Sequence, residues 1–242
     1  MTTISRVLNG KAEQFRISRE SQNKILEAVR VLNYRPNFVA QSLRNMSTRT
    51  IGLLVPCIDN PFFANIASAV IGEAHKYDYT VMVLDTHESA KDENEAIETL
   101  LSRNVDGIIT VPSSDNPSTL TALDREKPII LIDRYFENCH LPYVATDNYQ
   151  GALDATELLI KAGHKNIMCI QGPPQSITSQ RRVQGYRDTL AKAGLSDRAI
   201  VCGNEFSTQN GYVETKLALT RKDGISAIFA LSNTILLGVI KA

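Results

Sequence analysis

Apolar positions along the chain fall into two textures that meet near residue 50. In "MTTISRVLNG", Ile4, Val7 and Leu8 recur at i, i+3 and i+4, one face of a helix, and Gly10 follows where a left-handed cap belongs. A two-turn helix of this kind needs a packing partner to hold. "SRESQNKILEAVRVLN" (18–33) predicts a second helix, with Ile25, Ala28, Val29 and Leu32 on one face, Ser18 as N-cap and Glu20 at the positive end. Ser21 stands where a capping-box acid would be, and the polar loop "GKAEQFRI" separates the two helices. Pro36 ends the second element, Asn37 can cap a short helix reaching Leu43, and "RNMSTRT" reads as a linker. Residues 1–49 are therefore small helices with too little apolar surface for a core of their own.

From Thr50 onward, apolar runs alternate with amphipathic stretches. "TIGLLVP", "YTVMVLD", "GIITVP", "PIILID", "YVATD", "NIMCIQG", "AIVCG" and "SAIFAL" predict strands. Residues 62–77, 91–103, 117–125, 148–162, 178–193 and 209–222 predict helices, and "TILLGVIKA" closes the sequence in a helical pattern. Such alternation means parallel βα units with both sheet faces covered. The expected fold class is α/β over 50–242, preceded by a small all-α segment over 1–49.

At 242 residues, 43% hydrophobic and 21% charged, the chain suits a globular protein with a sizeable core. Its zero net charge hides an asymmetry: residues 1–50 hold nine Lys/Arg against three Glu, a net +6, which leaves −6 for the rest. A basic arm on an acidic body fits a polyanion partner, and a merely solvated basic face fits equally well. Cys57, Cys139, Cys169 and Cys202 form no C-x-x-C pair, and three sit in or beside apolar runs, as buried free thiols do in a reducing compartment. No run approaches the roughly 20 apolar residues of a membrane span. The first residues lack the apolar centre of a signal peptide. A cytoplasmic protein without membrane contact is expected.

Ligands of parallel sheets bind beyond the carboxyl ends of the strands. Those positions hold Asp59 to Phe63, Asp85, Ser113-Ser114-Asp115, Asp133-Arg134, Asp147-Asn148, "GPPQSITSQRR" with Arg181 and Arg182, and later Phe206 and Asn233. Carboxylates and amides suit hydroxyl pairs, a ring suits the apolar face of a sugar, and an Arg fork suits hydroxyl or phosphate oxygens. Taken singly, Asp147 and Ser113 fit caps better than ligands, and Phe62 and Phe63 fit a core better than a stacking platform. His75, His87, His140 and His164 are scattered. No nucleophile–base pair, Walker loop or metal-ligand spacing occurs, so no catalytic site, cofactor or metal is expected.

The segments "TTISRVLNGK", "ILEAVRVLNYRPNFVAQSLR", "IGLLVP…NPFF", "VDGII", "LIDR", "DNYQGA", "GHKNI", "RRVQGYRDTL" and "SAIFALSN" run in this order over essentially the whole chain. Together they resemble the lactose-repressor (LacI/GalR) family. The loop "NGKAEQFRIS" resembles that of the fructose- and sucrose-type branch. The resemblance implies a helix-turn-helix headpiece, a hinge helix and a two-lobed body like a periplasmic sugar-binding protein. It makes Met1 to Asn9 the recognition helix, with Thr2, Ser5 and Arg6 facing base edges and phosphates and Thr3 and Asn9 nearby. It makes 37–44 the hinge, which places Asn37 and Leu43 at the DNA, Leu43 as a minor-groove wedge. Packing of Leu43 on Val39 is the competing reading. Effector contacts are implied for Phe63, Asp133, Arg182, Phe206 and Asn233. The implied partners are operator DNA, a sugar or sugar-phosphate effector, and a second copy of the chain. Relative to the family, the chain reads as truncated at both ends, and Thr234 stands where Asp is usual. The expected function is a repressor of carbohydrate-related genes. A sugar-binding protein without DNA function, or an inactive fragment of a regulator, is the alternative.

Overall fold

The computed structural model describes residues 3–8, 10–34, 47–221 and 224–242. The chain divides into two compact units, Met1–Thr48 and Arg49–Ala242.

The first unit contains α1 (Thr3–Leu8) and α2 (Arg19–Val31). Of the apolar face of α1, only Val7 is buried, and Ile4 stays exposed. Gly10 adopts φ +67°, and its amide donates to the Val7 carbonyl at 3.1 Å, so the left-handed cap forms where the sequence calls for it. Ser18 caps α2: its Oγ accepts the Ser21 amide at 3.3 Å and donates to Ser21 Oγ at 3.0 Å. A hydroxyl pair thus replaces the missing capping-box acid. None of the residues of α2 is buried, and Leu26 and Leu32 are exposed, as the shortage of apolar surface in this segment predicts.

The second unit holds two all-parallel sheets. The first comprises β1 (Thr50–Val55), β2 (Thr80–Asp85), β3 (Gly107–Thr110), β4 (Ile129–Ile132) and β5 (Tyr143–Val144), in the order β2-β1-β3-β4-β5. The second comprises β6 (Ile167–Ile170), β7 (Ile200–Cys202) and β8 (Ala227–Ala230), in the order β7-β6-β8. Each sheet with its helices forms a lobe. The strand expected from "YVATD" pairs only at Tyr143 and Val144, because the chain then turns so that Asp147 can cap the next helix.

Helices α3 (Pro61–His75), α4 (Ala90–Ser102) and α5 (Ser118–Leu123) cover the first sheet. Helices α6 (Asn148–Lys161), α7 (Ile177–Lys192), α8 (Thr208–Arg221) and α9 (Asn233–Lys241) belong to the second lobe. Alternate strand residues serve opposite faces. Leu53 and Val55 pack with Phe63 and Ala67 of α3, while Leu54 packs with Ile97 and Leu100 of α4. In the second lobe, Cys169 and Ile167 meet Tyr186 and Leu190 of α7, while Met168 and Ile170 meet Ala218 and Ile235. The fully buried Tyr186 hydroxyl donates to the Ile167 carbonyl at 2.6 Å and accepts the Ile200 amide at 3.0 Å, tying α7 to β6 and β7. Burial pushes its pKa up to about 12. The four cysteines are free, and Cys169 is buried. Among the described residues, no helix is long and apolar enough to cross a membrane.

Two glycines separate packing from propensity. Gly185 lies where α7 crosses α6, and a Cβ there would sit 2.5 Å from the Tyr149 carbonyl oxygen. Gly72 is exposed on α3 with nothing within 4 Å of an added Cβ. Gly185→Ala should destabilise the chain by about 1–3 kcal/mol through overpacking. Gly72→Ala should stabilise it by about 0.5–1 kcal/mol through backbone entropy. Urea unfolding of both variants checks the pair, and equal effects would contradict this packing.

Candidate functional site

Strand order reverses beside β1 in the first sheet and beside β6 in the second, and loops at such points diverge to leave a crevice. The loops after β1, β2, β3 and β4 of one lobe and after β6, β7 and β8 of the other line a cavity of about 810 Å³. That volume suits a small organic ligand. Local sequence explains the loop shapes. Asn60 accepts the Phe62 amide at 3.0 Å and starts α3 with Pro61 in its first turn. Gly172, after β6, leaves room for the Phe206 ring, which would lie 2.3 Å from a Cβ at that position.

A buried carboxylate holds one wall. Glu93 of α4, 2% exposed, accepts the amides of Ser113 at 3.2 Å and Ser114 at 3.0 Å, with the Thr110 hydroxyl at 3.4 Å. Thr86 Oγ1 lies 2.6 Å from Ser113 Oγ and donates to the Val55 carbonyl at 3.2 Å. These bonds fix the loop after β3. Burial raises the Glu93 pKa above the usual carboxylate range, and the Ser113 and Ser114 amides oppose that rise.

The turn after β4 carries most of the charge. Asp133 adopts φ +64°, and the Arg134 amide donates to the Ile132 carbonyl at 2.7 Å, a tight three-residue turn. Such turns store backbone strain, which is common where side chains must be aimed. Arg134 grips Glu88 with two bonds of 2.6 and 2.7 Å, donates to the Pro112 carbonyl at 3.2 Å, and lies 5.7 Å from the Phe63 ring centroid. Asp133 is buried, and its Oδ1 has no hydrogen-bond partner among the described residues. Burial raises its pKa, opposed by the charges of Arg134 and Arg182. Arg182, on α7 of the other lobe, donates to Asn148 Oδ1 at 2.8 Å and to the Leu231 carbonyl. Burial lowers its pKa, opposed by Asp133. A second contact across the lobes joins Arg181 to Glu137.

The residues named from sequence disperse around this cavity. Phe206 lines it. Asp133 and Arg182 face each other electrostatically across the lobes but are absent from its lining. Phe63 is 5% exposed, packs with Leu53, Val55 and Val111, and has the Arg134 guanidinium 5.7 Å from its ring centroid. Asn233 is exposed at the start of α9, and its neighbour Thr234 lines the cavity instead. Asp147 caps α6 by accepting the Gln150 amide at 2.9 Å. Sequence reading missed Glu88 and Glu93. The pattern did carry a signal for Glu93, which precedes Ala96, Ile97 and Leu100 on the same buried helical stripe.

In the first unit, Thr3 is exposed and Ser5 and Arg6 are partly buried. The Arg6 guanidinium lies 4.0 Å from the Phe15 ring centroid, and its Nε is buried. This cation–π contact draws Arg6 toward its own unit. Thr2, Asn9, Asn37 and Leu43 lie outside the described residues.

Glu93 supplies a pH signature. Protonated Glu93 contributes its full stability below the unfolded-chain pKa, and that contribution is lost as pH rises through the higher folded value. Urea unfolding across the acid-to-neutral range should show the parent losing stability relative to Glu93→Gln as pH rises. Glu93→Ala should cost about 1–3 kcal/mol for each amide left without a partner. A parent that gains on Glu93→Gln with rising pH contradicts this account of the wall.

Two family models match the chain. Residues 1–37 match "Bacterial regulatory proteins, lacI family". Residues 48–242 match "Periplasmic binding proteins and sugar binding domain of LacI family". The ribose operon repressor of Halalkalibacterium halodurans is 34% identical over 100% of this chain and 71% of that protein. The crystal structure of a putative ribose operon repressor from Burkholderia thailandensis is similar with a TM-score of 0.71 and 32% identity, over 80% of this chain and 72% of that one. The lac repressor dimer bound to operator and an anti-inducer shares the fold at a TM-score of 0.87 and 22% identity, over 99% of this chain and 72% of that one. With a regulatory headpiece matched at one end and a sugar-binding body matched over most of its length, this chain belongs to the LacI family of bacterial regulators.

Proposed function

We propose that the chain is a DNA-binding transcription regulator of the cytoplasm, a repressor of carbohydrate-related genes whose operator affinity is set by a sugar or sugar phosphate in the cavity between the lobes. The observation that carries this reading is the pairing, in one chain, of a lacI-type headpiece match with a sugar-binding-body match. The basic composition of residues 1–50 supports the DNA role, since neutralised phosphates supply much of the affinity of such proteins. Relatives named as operon repressors support the sign of the response. Relatives named as regulators also support a role in binding alone, without a catalysed reaction.

The working form is a homodimer on a pseudo-palindromic operator, with two recognition helices spaced by about 34 Å along the duplex. Thr2, Thr3, Ser5, Arg6 and Asn9 are the candidate contacts of that helix. Asn37 and Leu43 are those of the hinge. Ligand binding reorients the lobes, and a hinge over 37–44 forms or melts in response, which is an order–disorder switch. Within the body, Arg182 is the candidate coupling residue, because it carries a partly buried charge on one lobe toward Asp133 on the other. Phe63, Asp133, Phe206 and Asn233 are the remaining candidate effector positions.

Fluorescence anisotropy with a duplex selected from a random pool tests the DNA role. Affinity should fall by about 10³–10⁵ between 50 and 200 mM salt for six to ten phosphate contacts. A chain that selects no sequence from the pool overturns the reading. Arg182→Ala should bind the selected duplex like the parent while losing the ligand response; a preserved response would remove Arg182 from the coupling path.

A further inference from the structure

The charges around the cavity bear on its ligand in a way that the family match does not. Five carboxylates line it: Asp59, Glu88, Asp115, Glu137 and Glu205. Among the described residues, the single cationic side chain in the lining is Arg134. Its two terminal nitrogens are engaged by Glu88 and the Pro112 carbonyl, and its Nε is buried away from solvent. Glu137 is matched by Arg181. That leaves Asp59, Asp115 and Glu205, all exposed, on the loops after β1, β3 and β7, with no cation opposite any of them among the described residues. Among the described residues, the cavity lining therefore presents three negative charges without an ion-pair partner and no free cation.

One feature points the other way. Ser176 and Ile177 at the start of α7 line the cavity, and Ser176 Oγ caps no backbone amide of that helix and lies 2.9 Å from Thr178 Oγ1. A helix N-terminus carries the equivalent of about half a positive charge. Against that half charge the same lining sets three full charges of opposite sign. Arg182 adds no net attraction, because Asp133 faces it.

We propose that this cavity takes a polyhydroxylated ligand without an anionic group, a neutral sugar or an amino sugar, and rejects the phosphorylated counterpart. The inference rests on the sugar-sensing role proposed above and narrows it. The carboxylates accept hydrogen bonds from hydroxyl or ammonium groups, and Phe206 offers a ring for the apolar face of the sugar. A phosphate dianion entering the same space would meet like charge from three loops, and the one lining guanidinium among the described residues, Arg134, is already engaged by Glu88 and the Pro112 carbonyl.

The test is calorimetric titration and thermal shift of the full chain with matched pairs: ribose and ribose 5-phosphate, fructose and fructose 1-phosphate, glucosamine and glucosamine 6-phosphate. Inorganic phosphate is compared with chloride at equal ionic strength. In any pair that binds, the unphosphorylated member should bind at least tenfold more tightly, about 1.4 kcal/mol. Inorganic phosphate should give the parent no saturable shift. The triple variant Asp59→Asn, Asp115→Asn, Glu205→Gln should gain tenfold or more for phosphate and for the phosphorylated sugars. A phosphorylated member that binds the parent as well as its neutral counterpart overturns the proposal. So does a triple variant as indifferent to phosphate as the parent. If no sugar of either kind shifts the melt, the sugar-sensing role fails, and the phosphate arm still decides the charge claim.

Discussion

Covering a parallel sheet on both faces leaves polar chemistry only one place to go, the ends of the strands. Both lobes obey this constraint. Leu53, Leu54 and Val55 are wholly buried, and within a few residues the same strand delivers Asp59 and Asn60 to the cavity. Met168, Cys169 and Ile170 are buried in the same way, and Gly172 then gives way to the Phe206 ring. The cavity is thus a consequence of two hydrophobic sandwiches set with the tips of their strands around a common space. The loops that line it inherit their shapes from the strands beneath.

Charged groups near those tips are organised by partners drawn from distant parts of the chain. Glu88 and Arg134 are 46 residues apart and meet in a two-bond ion pair. Glu93 reaches from α4 to the amides after β3. Arg182 and Asp133 oppose each other from different lobes, each with a pKa that burial shifts toward its neutral form. The Glu88–Arg134 and Glu137–Arg181 ion pairs are partly exposed and contribute little net stability, and their geometry matters more for specifying one arrangement of the loops. A movement of one lobe against the other would change the Asp133–Arg182 and Glu137–Arg181 interactions directly. That makes them natural points at which ligand occupancy can be felt.

The periodicity of the sequence foretold the βα alternation because each strand is a near-continuous apolar run and each helix shows a 3.6-residue stripe. Caps were readable where a single residue suffices, as at Gly10, Ser18 and Asp147. What the sequence did not display were pairings that depend on tertiary placement. Phe63 shares a helical stripe with Ala67 and Ala74 and turns inward with them, but the stripe does not show that its ring would lie beside the Arg134 guanidinium. Asn233 and Thr234 are adjacent, and the start of α9 brings Thr234 to the cavity. Glu93 looked like one acid among several in "KDENEAIE", although its position one turn before Ala96 and Ile97 marks it as inward-facing. The family resemblance pointed to Asp133 and Arg182, and the structure adds the burial of Asp133 and the electrostatic opposition of the two.

The central claim is that one chain senses a small ligand in its body and reports it at its DNA-binding headpiece. Binding of two ligands to coupled sites must be reciprocal, so each alters the affinity of the other by the same factor. The direct measurement is the affinity of a cavity-binding sugar for the full chain, by calorimetry, with and without a saturating selected duplex. The account predicts a change equal to the change that the sugar makes in duplex affinity. Identical sugar affinity in the two states would contradict it.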